Sequence, residues 1–446
     1  MDRIRIREAA RIALPAILES LVLVIIATVD TKMISSLGHT AITAVGLTAQ
    51  PKLLCFAIFY ALGTASSFFI AQASGSKDRG RGNAYFHAIL RITVFLSVVL
   101  GIVLGLFARP VMQLFNRQPE SVGQSADFFA VIMACMVFQT LSIVLNGALR
   151  GIGETRVTLY SSLALAGTDI LFNYLLIEGR FGFPRLEVVG DAIATVLGTA
   201  AACAVSLFYL KRKSGFLTLK GVLRPVREKE ITQNIRKKAG SIVFENLFVR
   251  IGFMLTSVIV STFPSDQTSV YFVGLILLQY SFAFGDGLQA ATISLTGKSI
   301  GAGSREDFRA YFRIMISWAV ILSAVLSTLY LIGARWFFRQ YFSDPVSIEE
   351  GFTATLHVIG ITAFQIMRIV FIASLRGMGE VRDPRRIVFL CVFLLNPGMS
   401  YLLAYPLHMG IRGIWAASVL TQMIWMILAG LSFKRHAAGL SVQYAD

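Results

Sequence analysis

The chain reads Leu-Arg-Gly-Ile-Gly-Glu-Thr-Arg at Leu149–Arg156 and Leu-Arg-Gly-Met-Gly-Glu-Val-Arg at Leu375–Arg382, 226 positions later. The same spacing relates Phe56 to Phe282 and Gly75 to Gly301, so the register is kept outside the motif. A repeat of this length indicates that the chain contains two copies of one structural unit. Any fold predicted for the first half should therefore also describe the second.

The composition indicates which solvent surrounds the two copies. Of the 446 residues, 55% are hydrophobic and only 15% are charged, and the mean hydropathy is +0.69. A soluble domain of this size needs a larger polar surface, whereas a chain embedded in lipid does not. The sequence therefore predicts an integral membrane protein.

Long apolar runs show where the chain crosses the membrane. A membrane-spanning helix needs about 20 mainly apolar residues, whereas strands of a membrane β-barrel appear as shorter segments of alternating polarity. The runs here are long and continuous, and they lie near 12–36, 50–72, 84–107, 125–148, 157–178, 187–210, 239–263, 270–296, 310–334, 351–374, 386–407 and 411–433. We predict an all-α integral membrane fold with twelve transmembrane helices, six in each repeat.

The even number of spans per repeat predicts the topology. Six spans return each half to the side where it began, which gives two parallel repeats. Most of the 41 Lys and Arg residues lie at the termini and in the loops after even-numbered spans, so both termini are predicted to be cytoplasmic. The net charge of +16 then reflects membrane topology, and no nucleic-acid partner is expected.

The predicted organisation has four parts: an N-lobe at 1–210, a basic cytoplasmic linker at 211–238, a C-lobe at 239–433 and a cytoplasmic tail at 434–446. The linker is interpreted as a solvated connector. No short apolar core with a small-residue cleavage site follows the basic amino terminus, so no cleaved signal peptide is expected. The predicted location is the cell membrane, plasma or inner, with many passes.

Charged residues inside apolar spans are the first candidates for function, because a charge at the bilayer centre costs about 2.5–3.5 kcal/mol on insertion scales. Span 1 carries Glu19 and Asp30, which lie eleven residues apart and therefore on one face of a helix. Pro15 precedes Glu19 by about one turn. A proline inside a helix removes one backbone hydrogen bond, so Pro15 is a candidate hinge.

Polar residues of spans 4 and 5 are predicted to meet Asp30. Asp169 and Asn173 share one face of span 5, and Asn146 lies on the polar face of span 4. The group could exchange protons, or Asp30, Asp169 and Asn173 could form a sodium site, since oxygen ligands suit a hard cation. A third interpretation is that these residues only link helices. Asp127, Glu178 and Asp191, near the outer ends of spans, are interpreted as structural.

The second half has different polar residues, because Thr256 stands where the repeat would place Asp30, although Glu245 matches Glu19. Two arginines and two acids suggest buried ion pairs, or a substrate cavity that favours an anionic or zwitterionic group. The candidates for the substrate cavity of the second lobe are Glu245, Arg250, Asp286, Gln289, Gln365 and Arg368. Asn396-Pro397-Gly398 predicts a kink in span 11.

In its motifs the chain resembles the multidrug and toxic compound extrusion (MATE) family over nearly its whole length. The resemblance is carried by Pro15–Asp30, by Gly75 and Gly301-Ala302-Gly303 after spans 2 and 8, by the repeated block, and by Phe181-Gly182-Phe183-Pro184. It implies a V-shaped carrier with two lobes that exports organic compounds or drugs by alternating access, driven by entry of H⁺ or Na⁺.

The resemblance also implies roles for particular residues. Family members use an acid at the Asp30 position and polar residues at the Asn146, Asp169 and Asn173 positions for cation coupling, and some use an acid matching Glu245. Where those members carry an acid on span 10, this chain has Gln365, with Arg368 nearby. A standard cation site in the second lobe is therefore not expected.

The same features allow two alternatives to an antiporter. A flippase for lipid-linked saccharides would share the two-lobe plan, and Arg250 and Arg368 would suit a pyrophosphate group. An enzyme or ATP-driven pump is not expected, because Gly297-Lys298-Ser299 lacks the earlier glycine of a phosphate-binding loop. The expected partners are a small organic substrate and membrane lipids, the expected state is a monomer, and no cofactor is expected beyond the coupling ion.

Overall fold

The computed structural model describes residues 3–115, 119–212, 215–222 and 229–443, and nearly all of them are helical. Helices form here because lipid offers the backbone no hydrogen-bond partners, so each segment must satisfy its own. The all-α fold is confirmed. The α-helices are α1 (Arg3–Ser35), α2 (His39–Gly75), α3 (Arg79–Leu106), α4 (Ala108–Phe115), α5 (Pro119–Ala134), α6 (Met136–Gly151), α7 (Thr155–Leu176), α8 (Glu187–Arg212), α9 (Lys229–Val260), α10 (Ser265–Gly301), α11 (Arg305–Arg339), α12 (Pro345–Gly377), α13 (Arg382–Val388), α14 (Asn396–Ala404) and α15 (Gly410–Gln443).

Within the described ranges, ten helices are long and apolar enough to cross a membrane. The count rises to eleven if α5 and α6, which meet at an angle of 53°, form one bent span. Predicted span 157–178 corresponds to α7, which does not reach the same apolarity because it carries Asp169 and Asn173 among other polar residues. Crossing of the membrane by many helices is supported, whereas the number twelve and the arrangement of two repeats stay predictions.

The chain divides into two compact units, and the division falls inside α1. The N-unit is Leu18–Gly240, and the C-unit combines Met1–Ile17 with Ser241–Asp446. Pro15 lies two residues before the division and interrupts the backbone hydrogen bonds of α1. The proline therefore stands close to the point where α1 passes from one unit to the other.

Ion pairs explain why the first turns of α1 belong to the C-unit. Arg5 donates to Asp307 at 2.9 Å and to Glu306 at 2.8 Å, both at the start of α11. Glu8 accepts from Lys298 of α10 at 3.2 Å and from the hydroxyl of Tyr311 at 2.5 Å. These contacts attach residues 3–17 to α10 and α11.

The repeated block has the same structure in both units. Gly153 and Gly379 adopt φ values of 89° and 82°, a left-handed conformation that favours glycine. Gly151 lets α6 approach α2, because a Cβ there would lie 2.6 Å from the carbonyl oxygen of Ser67. A Cβ at Gly377 of α12 would lie even closer, 2.0 Å from the hydroxyl oxygen of Thr296 of α10. One glycine of each block is thus needed for helix packing and the other for the turn.

Span 11 changes its helical type where the Asn-Pro-Gly sequence predicts a kink. Residues Phe389–Leu395 form a π-helix between α13 and α14, and Pro397 lies in the first turn of α14. A proline cannot donate to the preceding turn, and π-helical turns are a common way to absorb such an interruption.

Part of the predicted linker is structured. Residues 215–222 pack on α3, where Asn83 donates to the carbonyl of Phe216 at 3.0 Å and accepts from the backbone N–H of Thr218 at 2.8 Å. The ring of His87 also contacts the carbonyl of Thr218, at 2.6 Å. The last ten residues of the predicted linker already belong to α9. The interpretation of a freely solvated connector is therefore wrong for these residues.

Candidate functional site

Three polar residues predicted to couple a cation meet in the N-unit. The side-chain amide of Asn173 donates to Asp30 at 3.2 Å and to Asp169 at 3.4 Å, and the two carboxyl groups also contact each other. Asp169 and Asn173 are 1% and 0% exposed. Span 1 and span 5 are therefore joined by two carboxyl groups that share one amide.

Lys52 and Asp191 extend this cluster, although the sequence interpretation assigned neither to it. Lys52 lies in α2, is half-buried, and interacts electrostatically with Asp30, Asp169 and Asp191. Asp191 lies near the start of α8 and is only 3% exposed. The sequence interpreted Asp191 as a structural acid at the end of a span, but the structure places it where it interacts with Lys52. The signal for Lys52 was available, because it is a charge inside an apolar run.

Several oxygen atoms of the cluster have no hydrogen-bond donor among the described residues. They are Asp169 Oδ1, Asn173 Oδ1 and Asp191 Oδ1, and all three are buried. Buried acceptors without a donor are costly, and oxygen atoms of this kind are the ligands of hard cations. No group of three or more His, Cys, Asp or Glu side chains in the described part of the chain is arranged to hold a metal ion.

Asn146 lies in a different hydrogen-bond network of the same unit. Its amide nitrogen lies 3.4 Å from the hydroxyl of Ser161, and its amide oxygen accepts from Ser206 at 2.8 Å. Ser161 in turn donates to the carbonyl of Ala202 at 2.9 Å. These contacts join α6, α7 and α8, and they do not include Asp30. A role of Asn146 in cation coupling stays a prediction.

Each unit contains one glutamate and arginine pair at equivalent positions of the repeat. In the N-unit, Arg150 of the repeated block binds Glu19, which also accepts from Thr158 at 2.6 Å. In the C-unit, Arg376 binds Glu245 at 2.8 Å. Both pairs obey the spacing of 226 residues. The arginine of the repeated block therefore neutralises the acid on α1 in the N-unit and the acid on α9 in the C-unit.

The candidate residues of the second lobe do not all meet in ion pairs. Glu245 binds Arg376, and neither Arg250 nor Arg368 forms an ion pair with it. Arg250 and Asp286 are exposed. Arg368 is 6% exposed and Gln365 is fully buried. Glu245 thus forms a buried ion pair, but its partner is Arg376 of α12 and neither Arg250 nor Arg368.

Arg368 is held by an aromatic ring and an amide. Its guanidinium carbon lies 3.5 Å from the centroid of the Trp425 ring, and its Nε donates to Gln422 at 3.1 Å. Gln289, another predicted cavity residue, accepts from Arg376 at 3.0 Å. The structure thus brings Glu245 and Gln289 together through Arg376, while Arg368 has its own set of contacts on α15.

The remaining acids near the ends of spans are exposed. Glu178 binds Arg180 in the segment between α7 and α8, and this hydrogen bond holds the pKa of Glu178 below its ordinary value. Asp127 is also exposed. Their positions agree with the interpretation that these two acids are structural.

A comparison with known proteins gives the family. The MatE family model matches residues 15–175 and again residues 241–402, which is more than half of the chain. The protein is a member of the MatE family. The two matches begin 226 residues apart, from 15 to 241, which is also the spacing of the repeated block.

Relatives of this MATE protein, and solved structures with a similar fold, agree with that assignment. It is 22% identical to the NorM multidrug resistance protein of Thermotoga maritima, over 93% of this chain and 89% of the relative. It is 25% identical to the multidrug resistance protein YoeA of Bacillus subtilis, over 85% and 82% of the two chains. The fold is similar to a crystal structure of MATE in complex with MaL6, with a TM-score of 0.91, 19% identity, and coverage of 98% and 97%. These proteins are transporters, which confirms the prediction of a MATE transporter and not an enzyme.

Proposed function

We propose that this MATE transporter is a cation-coupled antiporter that exports small organic compounds, including drugs, by alternating access. The observation that carries the proposal is the contact of Asp30 and Asp169 through the amide of Asn173. The relatives named as multidrug resistance proteins support the choice of organic compounds. Entry of H⁺ or Na⁺ would supply the driving force.

The chemistry of the carboxyl pair explains how a cation would act. Two ionised carboxylates that share one amide donor repel each other, so binding of a proton or a sodium ion between Asp30 and Asp169 lowers the energy of the cluster. Asn173 Oδ1 and Asp169 Oδ1 have no donor and are suitable ligands for sodium. Coupling then requires that the cation and the exported compound prefer different states of the transporter.

Pro15 is the proposed hinge of this mechanism. The missing backbone N–H lowers the cost of bending α1 there, and Pro15 lies two residues before the division between the units. Cation binding at Asp30, on the same helix, would bias the bend of α1.

The test is dye efflux from proteoliposomes with an imposed H⁺ or Na⁺ gradient. Asp30→Asn keeps the size of the side chain but removes its charge, and we expect gradient-driven efflux to fall to the level of liposomes without protein. The matched control is Asp127→Asn, which neutralises an exposed aspartate of the same unit and should transport like the wild type. Undiminished efflux by Asp30→Asn would exclude the proposed role, and comparison of the two gradients identifies the ion.

The flippase alternative makes a different prediction in the same assay. It depends on Arg250 and Arg368 as ligands of a pyrophosphate-linked lipid, and no dye efflux without such a lipid would favour it. Multiple membrane crossings agree with either function. We propose a monomer in the plasma or inner membrane with both termini in the cytoplasm, in contact with lipids, and with no cofactor besides the coupling ion.

A further inference from the structure

Arg368 is a buried charge of the C-unit that no carboxylate neutralises by direct contact. The residue is 6% exposed, its contacts are the Trp425 ring and the amide oxygen of Gln422, and none of the described acids forms an ion pair with it. An arginine in the membrane interior is costly when no opposite charge compensates it. An anion beside Arg368 would offset this cost.

The nearby acid is already occupied by another arginine. Glu245 exerts the strongest favourable electrostatic effect on Arg368, but it binds Arg376 at 2.8 Å. The side chains of Arg376 and Glu245 are only 9% and 5% exposed. Two buried arginines therefore share one buried carboxylate, and the other acid that acts on Arg368, Asp286, is exposed.

Buried polar atoms of α12 and α15 lack hydrogen-bond partners among the described residues, and most of them are donors, although Glu245 Oε2 of α9 is an unpartnered acceptor. Gln365 lies three residues before Arg368 on α12, and both atoms of its fully buried amide lack a partner among the described residues. Thr421 Oγ1, Trp425 Nε1 and Arg376 Nε are also buried and unpartnered. A group that accepts hydrogen bonds and carries negative charge can satisfy such donors.

Trp425 also packs among apolar residues. Trp425 belongs to a buried cluster with Val388, Cys391 and Val392, against which Phe248 packs. A ligand held here would contact Arg368 through a charged group and this cluster through an apolar body. We propose that Arg368 binds the anionic group of an exported organic anion, such as an aromatic carboxylate. The proposal rests on the proposed transport function and adds the charge of the substrate.

Binding of benzoate, compared with neutral benzamide of the same shape, tests the proposal. The purified full-length protein in phosphatidylcholine nanodiscs, with gluconate as the buffer anion, is titrated calorimetrically without any gradient. Charge-assisted hydrogen bonds contribute about 1.5–3 kcal/mol, so benzoate should bind at least about tenfold more tightly than benzamide. Arg368→Gln should remove this difference.

Two further variants separate a binding role from a structural one. Arg368→Lys keeps the charge but loses the planar fork of donors, so the preference for benzoate should be intermediate. It also provides the comparison if Arg368→Gln does not fold. Arg313→Gln, which removes an exposed arginine of α11 in the same unit, should bind benzoate like the wild type. Equal binding of benzoate and benzamide, or full preference in Arg368→Gln, would overturn the proposal.

Phosphate headgroups and inorganic anions share the chemistry of the proposed ligand, so separate arms distinguish them. The titration is repeated in nanodiscs containing phosphatidylglycerol, with chloride in place of gluconate, and with inorganic phosphate as the titrant. Benzoate binding that survives these conditions supports an organic anion. Loss of benzoate binding in phosphatidylglycerol or chloride, or tighter binding of phosphate, would show that Arg368 binds a lipid headgroup or an inorganic ion. Either result overturns the proposal. Because these titrations need no gradient, benzoate binding can be absent while gradient-driven efflux is intact. Benzoate binding can likewise be present while gradient-driven efflux is absent.

Discussion

Lys52 places a positive charge beside three aspartates in the N-unit and thereby sets the charge of the candidate cation site. Its ammonium lies 5.7 Å from the centre of the Phe128 ring and interacts with Asp30, Asp169 and Asp191. A fixed cation at this place repels an incoming proton or sodium ion. Lys52 should therefore weaken cation binding to the level at which release is also feasible.

Lys52→Met is expected to strengthen cation binding. Removing a nearby unit charge changes the interaction by roughly 1 kcal/mol, so the cation concentration for half-maximal efflux should fall by about fivefold. Efflux at different H⁺ and Na⁺ concentrations in proteoliposomes measures this change. Lys32→Met, which removes an exposed lysine of α1, should leave the concentration unchanged. An unaltered value for Lys52→Met would show that Lys52 does not act on the site.

At the scale of helices, the repeated glutamate and arginine pairs connect α1 to α6 and α9 to α12. Glu19 of α1 binds Arg150 of α6, and Glu245 of α9 binds Arg376 of α12. The arginine side chain is 29% exposed in the first pair and 9% in the second. The two pairs have the same positions in the repeat but differ in burial, so their contributions to stability should differ.

Arg376→Met should be strongly destabilising because it leaves Glu245 as a buried charge without its partner. Loss of one member of a buried ion pair costs about 3–5 kcal/mol, whereas replacing both members can be nearly neutral. The double variant Glu245→Gln with Arg376→Met should therefore recover much of the loss. Arg150→Met should cost less because Arg150 is partly solvated. Denaturant unfolding in detergent measures these proteins and the single variant Glu245→Gln, and additive effects of the two substitutions in the double variant would contradict the pairing.

The beginning of α12 has a pH-dependent cap. Asp344 accepts from the backbone N–H of Ser347 at 2.7 Å, and this bond lowers the pKa of Asp344 below its ordinary value. A lowered folded-state pKa gives stability that is present above the ordinary pKa and is lost as the pH falls through the lowered one.

Asp344→Ala should reduce thermal stability at neutral pH, and its difference from the wild type should shrink as the pH falls below about 4. Asp344→Asn should stay close to the wild type at both pH values, because asparagine is also a good N-cap. Asp266→Ala, in the first turn of α10 but not at its cap, is the control. A loss in Asp344→Ala that does not depend on pH would exclude the ionised cap.

At the scale of the whole molecule, the predicted topology can be tested without a transport assay. Ser76 follows α2 and Ser261 follows α9, and both are exposed. The spans predict that Ser76 faces the cytoplasm and Ser261 the outside. In a protein whose four cysteines are replaced, Ser261→Cys should react with an impermeant maleimide on intact cells. Ser76→Cys should react only after permeabilisation, and labelling of both sites on intact cells would reject the topology.

The sequence by itself indicated that lipid surrounds the chain and that the fold is all-α, and it contains one motif twice, 226 residues apart. Apolar runs long enough to span lipid form helices, because a helix satisfies its own backbone hydrogen bonds. The family model matches both halves of the chain. The periodicity of a helix also placed Asp169 and Asn173 on one face, and the structure shows that Asn173 contacts Asp30. These features depend on local pattern, which a sequence contains.

Only the tertiary structure decided which helices face one another. Periodicity shows which side chains share a face of one helix, but it does not identify the neighbouring helix. Lys52 therefore joined the aspartates, Asn146 bound serines and Glu245 bound Arg376 only once the helices were packed. Arg368 likewise met Trp425 of α15 instead of an acid. In lipid a polar residue of one helix could contact any of several other helices, and the packing of the surrounding apolar residues determines which polar partners lie within hydrogen-bond distance.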